Sequence, residues 1–283
     1  MQRVLAWLGG NPLRLALASI ALIGALGAMA PITDPPRKQR DWYPYLARTS
    51  HVEMAAGSFY VTPVSDWSYA RGGPTAETYT ATGYRFDELR NVWFMLEPQP
   101  GSQLAAHTLP LFEFDGGRML GLTIEARRER NEGYDPIAGV FNAYELDYHW
   151  ATARDLLTRR VVMLGHEVFI YPIAIDDEEK RTLLERLLAL TDRLEREPRY
   201  YNTITSNCTN ELAKAAGFHW APAFVLTGRS DEYLHRIGLI AGHSFAQAHA
   251  RSDMTAYVAA LNRAPPGQFD RELLSELRRR FGP

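Results

Sequence analysis

AHTLPLFEFDGGRMLGLTIEAR, residues 106–127, decides the fold class of this 283-residue chain. Two runs of alternating apolar and polar residues flank Asp115-Gly116-Gly117, which is typical of the turn in a β-hairpin. Residues 87–96 fit either a short helix or a strand that covers the sheet. Other short runs rich in β-branched and aromatic residues predict further strands at residues 58–64, 78–86, 140–150 and 167–175.

Helices are predicted mainly in the second half of the chain. Residues 176–197 have apolar side chains at helical spacing, an acidic first turn and a proline directly behind them, which indicates an amphipathic helix. Shorter helices are predicted over 153–164, at the end of 200–217 and over 271–281. Because a hairpin-based sheet occurs together with separate helices, the sequence predicts an α+β fold, an antiparallel sheet plus helices.

The N-terminal region carries an uncharged apolar segment, LALASIALIGALGAMAPIT, at residues 15–33. Its length approaches the roughly 20 residues that a helix needs to span a bilayer. Residues 1–14 form a short basic region ahead of it, and the small residues around Ala30 suit a signal peptidase. The sequence predicts an N-terminal hydrophobic helix that is either a signal peptide cleaved near Ala30 or a membrane anchor, with export favoured.

Residues 34–57 are predicted to form an irregular stem, because they combine prolines, mixed charge and aromatic residues. The aromatic residues Trp42, Tyr43 and Tyr45 fit a belt of side chains at a membrane surface. They fit an ordinary packed loop equally well, so both interpretations stay open.

The overall composition excludes several classes of function. Lys and Arg number 31 against 33 Asp and Glu, a formal net charge of −2, which gives no electrostatic basis for binding a nucleic acid. A single cysteine cannot form an internal disulfide, an iron–sulfur site or a cysteine-based zinc site. His243 and His249 do not have the spacing of a helical zinc site. We therefore expect no metal and no cofactor.

The single cysteine, Cys208, lies in SNCTN, residues 206–210, at the predicted start of a helix. A helix N-terminus offers free N–H groups and a partial positive charge, which lower a thiol pKa and can hold an oxyanion. Asn207 or Ser206 can serve as the N-cap. The alternative is a structural cysteine in the core, but the polar flanking residues make a poor core segment.

A thiol nucleophile needs a base, normally a histidine that a third group orients. His107 lies at the start of the hairpin strand, where a side chain can face a cleft, although no spacing rule selects it among the 8 histidines. On the second hairpin strand, alternation places Thr123, Glu125 and Arg127 on one face. A carboxylate beside an arginine can stay ionised and orient an imidazole. The alternative is an exposed ion pair of little consequence.

Several motifs, in one order, resemble a known family. They are His107, LTIEAR at 122–127, YEL at 144–146, ARDL at 153–156, YNTITSNCT at 201–209, SDEYL at 230–234 and GLI at 238–240. Together, from about residue 66 to about residue 262, they resemble the Lnb N-terminal periplasmic domain family. The resemblance implies a bacterial envelope protein, a lipoprotein transacylase reaction and a catalytic pair that corresponds by position to Cys208 and His107. The order of the pair is also similar to circularly permuted papain-like, NlpC-related thiol enzymes.

From these residues we predict a thiol-enzyme domain over 58–264, followed by a C-terminal helix at 265–283, and the resemblance implies a permuted papain-like core for the domain. Cys208 would attack an ester or amide of a lipid or lipoprotein, His107 would act as the base and Glu125 would orient it. The residues expected to support the site or its oxyanion are Asn207, Thr209, Asn202, Tyr201 and Arg127.

The expected location is the bacterial cell envelope, with a periplasmic domain that is anchored in the inner membrane or secreted. The expected partners are the lipid bilayer and a lipid or lipoprotein substrate, without nucleic acid; the oligomeric state is open. A peptidoglycan peptide hydrolase of the same thiol class is an alternative, whose cleft would be open and lined with Arg and Asp instead of being apolar. A non-enzymatic assembly domain would bury Cys208 beyond hydrogen-bonding range of His107.

Overall fold

The computed structural model describes residues 16–22, 35–37, 39–265 and 267–282. The strands are β1 (His51–Ala55), β2 (Ser58–Ser65), β3 (Ser68–Ala70), β4 (Gly73–Ala76), β5 (Tyr79–Arg85), β6 (Leu89–Pro98), β7 (Ala106–Phe114), β8 (Arg118–Arg127), β9 (Glu145–Ala151) and β10 (Phe169–Pro172). The α-helices are α1 (Pro136–Val140), α2 (Ala153–Thr158), α3 (Asp177–Arg196), α4 (Cys208–Ala215), α5 (Ser230–Arg236), α6 (Phe245–Ser252), α7 (Thr255–Leu261) and α8 (Phe269–Phe281). The main sheet has eight strands in the order β1-β2-β9-β8-β7-β6-β10, with β5 also paired to β2, whereas β3 and β4 form a separate hairpin.

The hairpin predicted over residues 106–127 lies at the centre of the main sheet and is confirmed. β7 and β8 pair antiparallel on either side of a tight turn. Gly116 and Gly117 in this turn have φ angles of 76° and 71°, which glycine adopts without steric cost. A side chain at Gly121 would collide with Leu156, so glycine here lets α2 lie directly on the sheet.

Helices cover the main sheet on both faces. Because side chains alternate along a strand, Leu111 and Phe112 point to opposite faces. Phe112 belongs to a core that α3 and α4 close, together with Trp150 of β9. Leu111 belongs to a second core that α2, α7 and α8 close, together with Met95 of β6. A sheet buried on both faces explains why its central strands are almost wholly buried.

The sheet differs from the predicted antiparallel one at a single pairing, because β2 and β9 run parallel where Ser65 meets Ala151. The sheet is therefore mixed, within an α+β fold. Residues 87–96 form most of strand β6 and not a helix. β1 lies inside the predicted stem of residues 34–57 and pairs with β2, so the sheet begins before residue 58. β3 and β4 are too short for an alternation pattern to predict.

The aromatic residues of the predicted stem pack on the domain. Trp42 and Tyr45 are buried, and Tyr43 is half-buried. Tyr45 donates its hydroxyl hydrogen to Asp155 Oδ1 at 3.2 Å. For Trp42 and Tyr45 the packed-loop interpretation is confirmed, and the membrane belt is wrong.

Helix α3 confirms the predicted amphipathic helix. Asp176 accepts the N–H of Glu179 at 2.8 Å, and the Glu179 side chain accepts the Asp176 N–H at 3.0 Å. This capping box begins the helix, while Arg193 and Arg196 in the last turn suit the negative end of its dipole. The predicted C-terminal helix is present as α8.

Residues 16–22, which belong to the predicted apolar segment of residues 15–33, are helical. The remainder of that segment, the basic region at 1–14 and the expected cleavage site near Ala30 lie outside the described residues. None of the helices in the described part of the chain combines the length and the apolar character that crossing a bilayer requires.

Candidate functional site

Cys208 is the first residue of α4, at the helix start that the sequence predicts. Asn207 is the N-cap, and its Oδ1 accepts the N–H of Asn210 at 2.8 Å. Its side-chain amide donates to the carbonyl oxygens of Thr203 and Phe224, each at 2.8 Å. The Asn207 side chain therefore fixes the helix start and has no donor left for an oxyanion, which corrects the role expected for it.

Strand β7 brings His107 to this helix start. The neighbouring Thr108 shares a hydrogen bond with Thr209, with 2.8 Å between their Oγ1 atoms, which ties the strand to α4. The Cys208 side chain and His107 line the same cleft, close enough for the thiol and the imidazole to shift each other's pKa. Only 4% of Cys208 is exposed, but the residue lines a cleft.

The thiol and the imidazole each favour the charged form of the other. Burial raises the pKa of the Cys208 thiol, but the charge and the hydrogen bond of His107 outweigh burial and lower the pKa to about 7. For His107, burial lowers the pKa, whereas the thiolate and Glu125 raise it, and the net direction is upward. A thiolate fraction at neutral pH follows, and the thiolate is the nucleophilic form.

A threonine hydroxyl links His107 to Glu125. His107 Nε2 lies 2.6 Å from Thr123 Oγ1, and this hydroxyl donates its hydrogen to Glu125 Oε1 at 2.7 Å. Because the single hydroxyl hydrogen goes to the carboxylate, Nε2 has to donate the first bond. The tautomer is thereby fixed, and Nδ1 is the ring nitrogen left to receive the thiol proton. Glu125 Oε1 is 3.5 Å from Nε2, so it orients the ring chiefly through Thr123.

Arg160 contacts the carboxylate end of this hydrogen-bond network. Its buried guanidinium donates to Thr123 Oγ1 at 3.2 Å and to Glu97 Oε2 at 2.7 Å, and lies 3.6 Å from Glu125. His166 Nδ1 is 2.5 Å from the other oxygen of Glu97. Burial raises the pKa of Glu125, but the neighbouring cations outweigh it and lower the pKa to about 2. The carboxylate therefore stays ionised at neutral pH.

The other predicted support residues lie around the site, but not all of them face it. Tyr201 lines the cleft together with Cys208. Asn202 donates to a main-chain carbonyl at 2.8 Å and accepts two N–H groups, so it stabilises the loop before α4. Arg127 donates to the carbonyl oxygens of residues 46–47 at 2.8 and 3.0 Å, so it holds the predicted stem instead of the site.

The thiol opens into a cleft of about 560 Å³ whose lining is rich in charge. Its ionisable side chains include Glu97, Glu125, Arg128, Arg159, Arg160, His107 and His166. The two carboxylates are engaged by Arg160 and the histidines. Within the described part of the chain, the Arg128 and Arg159 side chains make no ion pair and no hydrogen bond; Arg159 lies 4.4 Å above the Tyr45 ring and Arg128 lies 5.8 Å from the Tyr43 ring.

A second pocket, of about 80 Å³, reaches Thr209, the residue after Cys208. Apart from Thr209 and Ser230, its lining residues are apolar and include Trp93, Phe94 and Leu212. This apolar pocket reaches the residue after the thiol but shares no lining residue with the cleft, and the cleft itself is charged.

Sequence reasoning missed Arg159, Arg160 and Glu97. Both arginines belong to a π-helical turn, Arg159–Leu164, whose side-chain directions an ordinary helical pattern does not give. Glu97 lies opposite His107 in the β6–β7 ladder. That signal becomes available only once the pairing of these two strands is known.

Fold and site together define a class: an α+β domain in which a thiol at a helix start pairs with a histidine on a neighbouring strand. The family model of the Lnb N-terminal periplasmic domain matches residues 76–236 of the chain. The chain belongs to this family, and the domain is a periplasmic domain of the bacterial cell envelope. No curated protein and no solved structure matches the chain.

Proposed function

We propose that the protein is a membrane-associated periplasmic thiol acyltransferase or hydrolase that acts on an ester or amide of a lipid or lipoprotein. The observation that carries the proposal is that Cys208 and His107 line one cleft, while hydrogen bonds link His107 through Thr123 to Glu125. Nucleophile, base and orienting group in this order are what covalent acyl transfer requires. A permuted papain-like arrangement agrees with it, because the histidine precedes the cysteine in the chain.

In the first step the Cys208 thiolate attacks the carbonyl carbon, and a C–S bond forms while the carbonyl electrons move to oxygen. The free N–H groups at the start of α4 are the donors available to this oxyanion. The bond to the leaving oxygen or nitrogen then breaks, and the leaving group takes a proton from His107 Nδ1. Water or an amine attacks the thioester, His107 accepts its proton, and the thiolate is restored.

A peptidoglycan peptide hydrolase of the same thiol class is the second candidate. The charged lining of the cleft favours it, because a polar peptide suits arginine side chains. The cleft lining contains no aspartate among the described residues, so the expected Arg-and-Asp pattern is met only in part. The apolar pocket at Thr209 favours the acyl reaction. An assembly domain with an inert cysteine is disfavoured because Cys208 and His107 line the same cleft and lie close enough for the imidazole to lower the pKa of the thiol.

The test is acylation of the full-length chain, in detergent, by p-nitrophenyl butyrate. We expect a burst of p-nitrophenolate and a mass increase of one butyryl group that hydroxylamine removes. Cys208→Ala should abolish the adduct, and His107→Ala should slow its formation at least about a hundredfold. Ser65→Ala, which removes a buried hydroxyl outside the cleft, is the matched control. Equal butyrylation of Cys208→Ala would overturn the proposal.

We also propose that residues 15–33 bring the domain to the inner membrane, as a retained anchor or as a signal peptide. Intact mass spectrometry of the protein from bacterial membrane and periplasmic fractions separates the two. A full-length species in the membrane supports an anchor, whereas a species that begins after Ala30 in the periplasm supports cleavage. A full-length species in the cytoplasm would contradict both.

A further inference from the structure

We propose that the mouth of the thiol cleft docks on a bilayer surface and binds an anionic phospholipid, whose phosphodiester is held by Arg128 and Arg159. The inference rests on the proposed function, because it names the substrate class of the same site. Three features carry it: guanidinium groups in the cleft without a hydrogen-bonded partner among the described residues, an apolar rim around its mouth, and the apolar pocket that reaches Thr209, next to Cys208.

The two guanidinium groups are in place before any ligand arrives. Arg128 and Arg159 are half-buried in the cleft lining, and the rings of Tyr43 and Tyr45 hold them by cation–π contact. The charge of Arg159 interacts with that of Glu125, but neither Arg128 nor Arg159 makes a side-chain hydrogen bond or a close ion pair with a described residue. A guanidinium group matches the two free oxygens of a phosphodiester.

Large apolar side chains are exposed around the same mouth. Tyr134 and Leu164 line the cleft and are 44% and 40% exposed. Leu104 and Ile137, 44% and 61% exposed, each adjoin in sequence a residue that lines it. Because these four side chains come from three separate segments, their exposure is not a property of one loop. Apolar and aromatic side chains around a cationic centre suit a membrane interface, with the cations at the level of the phosphates.

A membrane phospholipid accounts for all three features, whereas other anions account for only one. A carboxylate-bearing peptide or a dissolved phosphodiester satisfies Arg128 and Arg159 but gains nothing from the rim. A phospholipid supplies the phosphodiester, an ester carbonyl for Cys208 and an acyl chain for the pocket at Thr209. In the reaction the C–O bond of the lipid ester breaks, the thioester forms, and the lysophospholipid leaves with a proton from His107.

The first test reconstitutes the full-length chain in phosphatidylcholine vesicles with and without phosphatidylglycerol, and measures lysolipid release by mass spectrometry. We expect phosphatidylglycerol to be consumed about tenfold faster than phosphatidylcholine. Arg159→Gln and Arg128→Gln should each remove most of this preference, which is measured as the ratio of the two lipid rates so that a change in the thiol reaction itself cancels. Arg71→Gln, in the exposed turn between β3 and β4, is the matched control.

The outcomes separate this inference from the proposed function. Equal consumption of the two lipids, with butyrate hydrolysis intact, overturns the anionic lipid and leaves the thiol enzyme standing. Inhibition of butyrate hydrolysis by dissolved glycerophosphoglycerol as strong as that by vesicles would mean that the bilayer contributes nothing. Preferential cleavage of a peptidoglycan stem peptide would mean that the cleft binds a peptide carboxylate instead of a lipid phosphate, and it would overturn the inference.

The second test uses the single cysteine as a tool. In a Cys208→Ala background, Leu164→Cys carries an environment-sensitive dye, and Met54→Cys is the control. Met54 is also exposed, but it lines a shallow groove that shares no lining residue with the cleft. We expect a blue shift on phosphatidylglycerol-containing vesicles at position 164 only. Equal shifts at both positions, or none at position 164, would contradict docking through the cleft mouth.

Discussion

The thiol centre has a near counterpart on the next strand. Ser65 Oγ lies 2.8 Å from His149 Nε2, and His149 Nδ1 lies 3.7 Å from Asp147 Oδ2. In the β8–β9 ladder His149 is opposite Thr123 and Asp147 is opposite Glu125, so both groups occupy the same face of the sheet. A nucleophile, an imidazole and an acid therefore come together twice within one domain.

The two centres differ in access and in hydrogen bonding. Ser65 and His149 are each 1% exposed, and the Tyr45 ring lies on the imidazole with 4.5 Å between the ring centroids. Asp147 Oδ2 and His149 Nδ1 have no hydrogen-bond partner among the described residues. At the thiol centre hydrogen bonds link His107 through Thr123 to Glu125, and Cys208 lines a cleft. Under the proposed function, access to substrate and a hydrogen-bonded link from the imidazole to the acid are what distinguish the thiol centre from the buried one.

Moving the thiol from one centre to the other should give the largest expected effect, a loss of thiol reactivity. In a Cys208→Ala/Ser65→Cys double variant, we expect alkylation by iodoacetamide at least about a hundredfold slower than for the wild type, because the buried position reacts only through local opening. Mass spectrometry of quenched samples measures the rate, and denaturant should restore labelling. If position 65 were labelled as fast as Cys208, solvent access would not distinguish the two centres.

Removing the imidazole should change the pH dependence of the thiol. For the wild type, the alkylation rate should be half-maximal near pH 7 and fall at lower pH, because the thiol becomes protonated. In His107→Asn the cation is lost while burial, which raises the pKa of Cys208, remains, so the midpoint should move above 7. His149→Asn, at the buried centre, should leave it in place. An unchanged midpoint in His107→Asn would mean that His107 does not lower the pKa of the Cys208 thiol.

The central hairpin and helix α3 could be predicted from the sequence because their signals are local. The two glycines determine the hairpin turn that contains them, and the acidic residues 177–179 stabilise the helix start at which they lie. The position of Cys208 at a helix start could be predicted for the same reason, because the residue that caps the helix, Asn207, directly precedes it in the sequence. The pairing of β1 with β2 and the parallel contact of β2 with β9 depend on long-range register instead.

Within the site, alternation along one strand placed Thr123 with Glu125 and made the orienting group predictable. The same alternation suggested Arg127, but its guanidinium turns to the carbonyl oxygens of residues 46–47, which only the packing of the predicted stem decides. Arg159 and Arg160 reach the cleft because a π-helical turn changes the direction of their side chains. No pattern in the sequence predicts such a turn.

Thr123 is the positioning residue that the buried centre lacks, since His149 Nδ1 has no hydroxyl between it and Asp147. Thr123→Val keeps the shape but removes the hydroxyl, so Nε2 and Glu125 lose their link. We expect the rate of butyryl transfer to fall about tenfold, with KM unchanged and the midpoint of the Cys208 alkylation profile raised. Thr123→Ser restores the hydroxyl and should return both values to within about twofold of the wild type. A serine variant as slow as the valine variant would assign Thr123 a packing role only.

The buried centre should matter for stability and not for chemistry, which gives the smallest expected effect. Ser65→Ala removes the hydrogen bond to His149 Nε2 and leaves both ring nitrogens without a partner. A net loss of about 1–2 kcal/mol in the free energy of unfolding follows, which is about 2–8 °C in Tm for a domain of this size. Thermal unfolding of the full-length chain in detergent measures the shift, while butyryl transfer at Cys208 should stay within about twofold. A variant with wild-type Tm and greatly reduced transfer would mean that the buried hydroxyl acts on the thiol centre through the shared β8–β9 ladder, and the two centres would then be one functional unit.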